Sequence, residues 1–160
     1  MKRRLALALL LAVLASGAHA EPPTIFLVRH AEKAAGDSKD PDLSPAGRAR
    51  AEALATVLKD ANLTAIYTTE FKRTQETAAP TAHAAALQPI TVSANDTAQL
   101  LEKLTVATGR VLVVSHGNTL PNILKGLGLT TSIKIEEPDY DNLFLVIPGA
   151  PPQLVHLHYR

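Results

Sequence analysis

The sequence predicts one α/β domain built on a mostly parallel sheet, with helices on both faces and an antiparallel edge at its end. Three observations carry this. Short β-rich runs alternate with helical patterns through most of the chain, the last two strand-like runs are separated only by a Pro/Gly-rich turn, and no repeat or linker divides the sequence.

The N-terminal segment is read apart from the domain. Lys2, Arg3 and Arg4 precede an uncharged apolar run from Leu5 to Leu14, and Ala18-His19-Ala20 ends in a small-residue cleavage signal. A membrane span needs about 20 apolar residues, and this run loses its apolar character near Ser16 before Glu21, Pro22 and Pro23. Residues 1–20 are therefore expected to be a secretory signal peptide and residues 21–160 the domain, with no stable membrane insertion after cleavage.

Charge and cysteine content narrow the function classes. Removing Lys2, Arg3 and Arg4 from 16 Lys and Arg leaves 13 against 15 Asp and Glu, a formal charge of −2. A nucleic-acid partner is not expected of an acidic chain, because binding a phosphate backbone needs a basic face. With no cysteine, disulfides, thiolate metal sites and cysteine nucleophiles are excluded. Without disulfides an exported chain relies on its core, and 140 residues can bury roughly two thirds of their unfolded surface.

Thr24 to Val28 reads as a buried strand ending at Arg29 and His30, followed by a polar loop to Leu43. Ser44 and Pro45 supply an N-cap and a proline at the first helical position, and Ala51, Leu54, Ala55 and Leu58 recur at helical spacing. Ala65 to Thr68 is a second strand. A helix follows from about Lys72 to the alanine-rich segment near Ala86, and Pro80 is expected to kink or divide it by removing the bond to the Glu76 carbonyl. Pro89 to Val92 reads as a third strand, and Asn95-Asp96 opens a helix carrying Leu100, Leu101 and Leu104. Arg110 to Val114 is the clearest strand. It runs into Ser115-His116-Gly117-Asn118, and Thr119 to Leu127 reads as a helix stopped by Gly128. Leu143 to Ile147 and Leu154 to Leu157 form the closing hairpin.

His30 and His116 each directly follow a strand. In an open parallel sheet both then lie at the carboxyl edge, where ligands bind. Arg29 adjoins the first, and Arg73 follows the second strand at the same edge. Two guanidiniums and two imidazoles suit a tetrahedral oxyanion, since Arg forks pair bidentately with phosphate oxygens. Either histidine alone would more often be a satisfied polar residue; together the four point to a phosphoryl pocket. His83 lies in an alanine-rich helix, and His156 and His158 alternate on one strand face without a carboxylate at metal-ligand spacing, so no metal site is expected.

With these residues in view, the chain resembles the histidine phosphatase superfamily, the phosphoglycerate-mutase-like fold, in the branch of small bacterial phosphatases. Phe26-Leu27-Val28-Arg29-His30-Ala31-Glu32-Lys33 is similar to the family signature, with Ala31 where the commonest form has Gly. Leu43 to Glu52, Thr68 to Ala78 and Val114 to Thr119 extend the match in the family's order. The resemblance implies a three-layer α/β/α fold, His30 as nucleophile, Arg29 and Arg73 on the phosphoryl oxygens, and His116 completing the pocket. It implies no metal and no cofactor and a small phosphorylated substrate; the signal-peptide reading adds secretion, in a bacterial member to the periplasm. The general acid is expected at Asp96, after the third strand. Asp96 with Gln99 also reads as a helix cap, and Glu32 and Glu70 compete for the acid's role. Glu32, Thr69 and Asn118 are further expected contacts to substrate, although Asn118 also reads as a cap. A phosphohydrolase is the leading reading. A mutase, a phosphohistidine-protein phosphatase and a noncatalytic phosphoryl-binding domain are the alternatives, and the oligomeric state is left open.

Overall fold

The computed structural model describes residues 21–130 and 133–160; the signal-peptide reading of residues 1–20 lies outside them. Among the described residues, six strands form one sheet: β1 (Thr24–Arg29), β2 (Ala65–Thr68), β3 (Ile90–Thr91), β4 (Arg110–Ser115), β5 (Asn142–Ile147) and β6 (Gln153–His158). Four helices accompany them: α1 (Pro45–Leu58), α2 (Lys72–Ala84), α3 (Thr97–Val106) and α4 (Leu120–Gly126). The strand order is β3-β2-β4-β1-β5-β6. The first four are mutually parallel, while β5 runs antiparallel to β1 and β6 antiparallel to β5. The expected mostly parallel sheet with an antiparallel edge is the observed one.

Alternation along the strands sorts the core into two layers. On one face Val28, Ile66, Leu112, Val114 and Leu143 meet Leu54 and Leu58 of α1 and Ala78 and Ala82 of α2. On the other, Ile25, Leu27, Tyr67, Val111, Val113 and Phe144 meet Leu100 and Leu104 of α3 and Leu120, Ile123 and Leu124 of α4. The neighbouring strands β1 and β4 therefore send their following helices, α1 and α4, to opposite faces. That divergence is a topological switch point and opens a crevice at their carboxyl ends.

Local chemistry explains the helix starts. Ser44 Oγ accepts from the Gly47 amide at 3.0 Å with Pro45 in the first turn, and Asp96 accepts from the Gln99 amide at 2.9 Å. Gly47 is required by a close approach: a Cβ there would collide with the Glu32 carbonyl oxygen. α4 ends at Gly126 with Leu127 as its cap, and the expected stop, Gly128, follows with a left-handed φ of 88°.

Two expectations are corrected. Pro80 neither divides nor ends α2, which runs unbroken from Lys72 to Ala84. Thr77 and Ala78 before the proline and Thr81 and Ala82 after it are all buried, so tertiary packing keeps both halves helical despite the lost hydrogen bond. The third strand shortens to Ile90–Thr91, an exposed edge where Pro89 has no amide to give.

Candidate active site

The crevice between β1 and β4 is lined by Arg29, His30, Lys33, Arg73, His116, Gly117, Asn118, Ile135 and Glu137. The four residues singled out by their positions after strands and at the start of α2 thus share one cleft. Backbone pairing sets the histidines side by side: Arg29 is in register with Ser115, and the His30 amide donates to the Ser115 carbonyl at 2.9 Å. Their ring centroids lie 5.4 Å apart, edge to face. Arg73 enters from the first turn of α2.

All four are largely withdrawn from water. His30 is 4% exposed and His116 7%. Burial, assisted by the arginines and the other imidazole, holds the pKa of His30 down to about 3. Burial and Arg73 likewise lower that of His116 to about 4. Both rings are neutral at neutral pH. His30 Nδ1 lies 2.8 Å from the Ala31 carbonyl oxygen. A carbonyl only accepts, so Nδ1 carries the proton and Nε2 keeps its lone pair.

His116 is oriented differently. Its Nε2 is 3.0 Å from Thr69 Oγ1, which is 3.0 Å from Thr74 Oγ1. Thr74 Oγ1 reaches the Phe71 carbonyl at 2.8 Å, and its single proton goes there. The Thr69 proton then goes to Thr74, and Thr69 accepts from His116 Nε2–H. Phe71 and His116 meet at right angles with ring centroids 5.4 Å apart, and the Phe71 face lies 4.2 Å under the Arg73 guanidinium.

Arg29 and Arg73 each have a buried Nε with no hydrogen-bond partner in the protein. Buried guanidinium N–H groups are ordinarily satisfied, so two unsatisfied ones at one cleft are suited to an anion. Gly117 packs closely over Arg29, since a Cβ there would lie 3.4 Å from Arg29 Nε.

The remaining expected residues divide. Thr69 is in place as the partner of His116, and Asn118 lines the cleft, while the residue before α4, Thr119, makes no side-chain cap. Glu32 does not line the cleft; it makes a two-oxygen ion pair with Arg50, with Nε at 2.8 and 2.9 Å. That pair lowers the Glu32 pKa against the opposing effect of burial, which is the largest single influence. Asp96 is not among the cleft residues, because its carboxylate caps α3 and borders a small separate hollow beside Thr69 and Ser115. Glu70 stands close enough to His116 to counter the arginines electrostatically, but one of its oxygens accepts from the Ala94 amide at 2.8 Å. Among the described residues no three His, Asp or Glu side chains gather in a metal-binding arrangement. His156 Nε2 instead pairs with Asn142 Oδ1 at 2.6 Å, and His158 Nδ1 with Asp141 Oδ1 at 3.2 Å.

Sequence reasoning missed the segment Ile133 to Asp141. Its Glu136 and Glu137 carbonyls accept from Arg29 Nη1 at 3.1 and 2.9 Å, and the Tyr140 ring lies 4.2 Å from the guanidinium. The segment has no periodicity, and its main contacts are main-chain carbonyls, which any residue supplies. Only the aromatic Tyr140 carried a readable signal.

The fold and this crevice define a phosphoglycerate-mutase-like α/β protein with paired histidines at the switch point. Residues 25–97 match the sequence model of the histidine phosphatase superfamily, branch 1. The structure resembles a mycobacterial glucosyl-3-phosphoglycerate phosphatase at 12% identity, covering 86% of this chain and 98% of that one with a TM-score of 0.65. It also resembles a putative phosphohistidine phosphatase SixA from Agrobacterium tumefaciens, at 17% identity, 88% and 98% coverage and a TM-score of 0.63. A phosphoserine phosphatase from Entamoeba histolytica aligns at 16% identity, 86% and 96% coverage and a TM-score of 0.61. A search of curated protein sequences found no match.

Proposed function

We propose that the chain is an exported phosphatase, a phosphomonoester hydrolase that works through a phosphohistidine on His30. The observation that carries this is the tautomer of His30: with Nδ1–H committed to the Ala31 carbonyl at 2.8 Å, Nε2 is a neutral nucleophile beside two arginines. Nε2 attacks phosphorus and the P–O bond to the alcohol breaks, giving phosphohistidine and, after protonation, the free alcohol. Water then cleaves the P–N bond, returning His30 and orthophosphate. Arg29 and Arg73 stabilise the charge that spreads over the equatorial oxygens, and His116 offers its Nε2–H once phosphate displaces Thr69. These fixed charges supply the electrostatics without a metal ion. Export is inferred from the basic, apolar and small-residue order of residues 1–20.

The test is the protein beginning at Glu21, assayed with an activated aryl phosphate in excess chelator. Turnover is expected, and a base-stable, acid-labile phosphoryl label on the wild type but not on His30→Ala. Activity that vanishes with chelator and returns only with a divalent ion overturns the metal-free mechanism. A label that persists in His30→Ala assigns the nucleophile elsewhere. A cell fractionation that leaves the processed chain in the cytoplasm overturns export.

A further inference from the structure

We propose that Glu137 is a built-in competitor of the substrate phosphate, its carboxylate occupying the anion-binding edge of Arg29 until substrate displaces it. The inference rests on the phosphoryl-pocket reading above and adds a regulating residue to it. The five N–H groups of Arg29 are nearly accounted for. Both Nη1 protons go to the main-chain carbonyls of Glu136 and Glu137. Nη2 lies 3.2 Å from Glu137 Oε2 and 3.5 Å from the Tyr140 hydroxyl, and Nε is buried without a partner.

An Arg grips phosphate with two adjacent donors. With Nη1 held by carbonyls, the edge left is Nε and Nη2, and the Glu137 carboxylate already sits on half of it. One residue thus does two separable things: its carbonyl anchors the guanidinium, and its side chain covers the edge that would take phosphate. The side chain is free to leave. It is 88% exposed against 6% for Arg29, so the carboxylate stays largely hydrated and can swing into solvent without disturbing the core. A phosphate dianion entering beside Arg73 and Arg29 repels the carboxylate and outcompetes it. Weakly charged or singly charged anions have less with which to displace it, so Glu137 raises the threshold for anions without a dianionic phosphoryl group.

Orthophosphate binding to the protein from Glu21, followed by calorimetry and needing no turnover, tests this in Glu137→Gln and Glu137→Ala. Both keep the carbonyl anchors and alter a solvent-exposed side chain. Each is expected to tighten orthophosphate binding about threefold to tenfold, the scale of one screened ion pair plus one relieved repulsion. The gain should shrink as salt is raised. KM for an aryl phosphate should fall by a similar factor with kcat changed less than twofold. Unchanged or weaker orthophosphate binding in both variants, with wild-type binding intact, overturns the competitor while leaving the pocket standing. Failure of the wild type to bind orthophosphate at all overturns the pocket and the competitor together.

Discussion

His30 and His116 occupy equivalent places, each one residue past a parallel strand, yet their rings are held by different means. The Nδ1 of His30 is fixed by a main-chain carbonyl, that of Ala31, and no single substitution removes that acceptor. His116 is fixed through Nε2 by the hydroxyl of Thr69, itself the middle of a chain to Thr74 and the Phe71 carbonyl. The difference separates roles. On the proposed mechanism, the ring that presents the attacking lone pair is governed by the backbone, whereas the ring that donates a hydrogen bond to phosphate is governed by a side chain that substrate would displace.

The comparison breaks most completely at the nucleophile. His30→Ala is expected to lower kcat about a thousandfold or more, because it deletes the proposed covalent route; residual turnover above a hundredth of wild type would deny the ring its special place. Next, Arg73→Ala should reduce kcat/KM about a hundredfold, the usual scale for losing one charge-stabilising donor, with KM and kcat both affected. Thr69→Val tests the softer half of the comparison. It frees His116 Nε2–H but disorders the ring, and a loss of about threefold to tenfold in kcat is expected with the melting temperature little changed. A loss as large as for His30→Ala would mean that Thr69 itself touches the reacting group.

Acid sharpens the same contrast. Both imidazoles are neutral when folded and have pKa values of about 3 and 4, far below the unfolded value near 6.5. Between those limits the unfolded chain binds more protons, so stability is full above about pH 6.5 and falls as pH drops toward the folded values. His116→Asn should flatten the fall in melting temperature between pH 6.5 and pH 4; an unaltered slope would place the sensitivity elsewhere. The smallest effect is expected at Asp96→Asn. Asparagine is as good an N-cap as aspartate, so rates on aryl and alkyl phosphates and the melting temperature should all stay within about twofold or 2 °C of wild type. A selective loss on alkyl esters, which need a proton donated to the leaving oxygen, would return Asp96 to the mechanism.

Periodicity and strand-end position made the sheet, its helices and the four central residues legible in the sequence, because burial and topology act on patterns that a single chain displays. The Ser44-Pro45 start of α1 was equally plain. What stayed hidden depended on partners far apart along the chain. Glu32 pairs with Arg50 rather than facing the cleft, since the first turn of α1, brought close by Gly47, lies against it. Asp96 carried two readings, a cap and an acid, and the Gln99 amide holds its carboxylate as a cap. Pro80 signalled a break that buried neighbours on both sides override. The hold of Ile133 to Asp141 on Arg29 runs largely through carbonyl oxygens, for which the amino-acid alphabet has no letter.

The single hydrogen bond from the His30 amide to the Ser115 carbonyl has a consequence for engineering. It ties the two imidazole-bearing residues to adjacent strands, whose separation of about 4.8 Å is common to all β-sheets. The spacing of the backbone that carries the two imidazoles is therefore a lattice constant of the sheet, insensitive to how the interior is filled. Random libraries aimed at the hydrophobic layers would change how long the scaffold survives heating and leave the gauge of its chemistry untouched, whereas selectivity should evolve in the loops that follow β1 and β4 and in the stretch before β5.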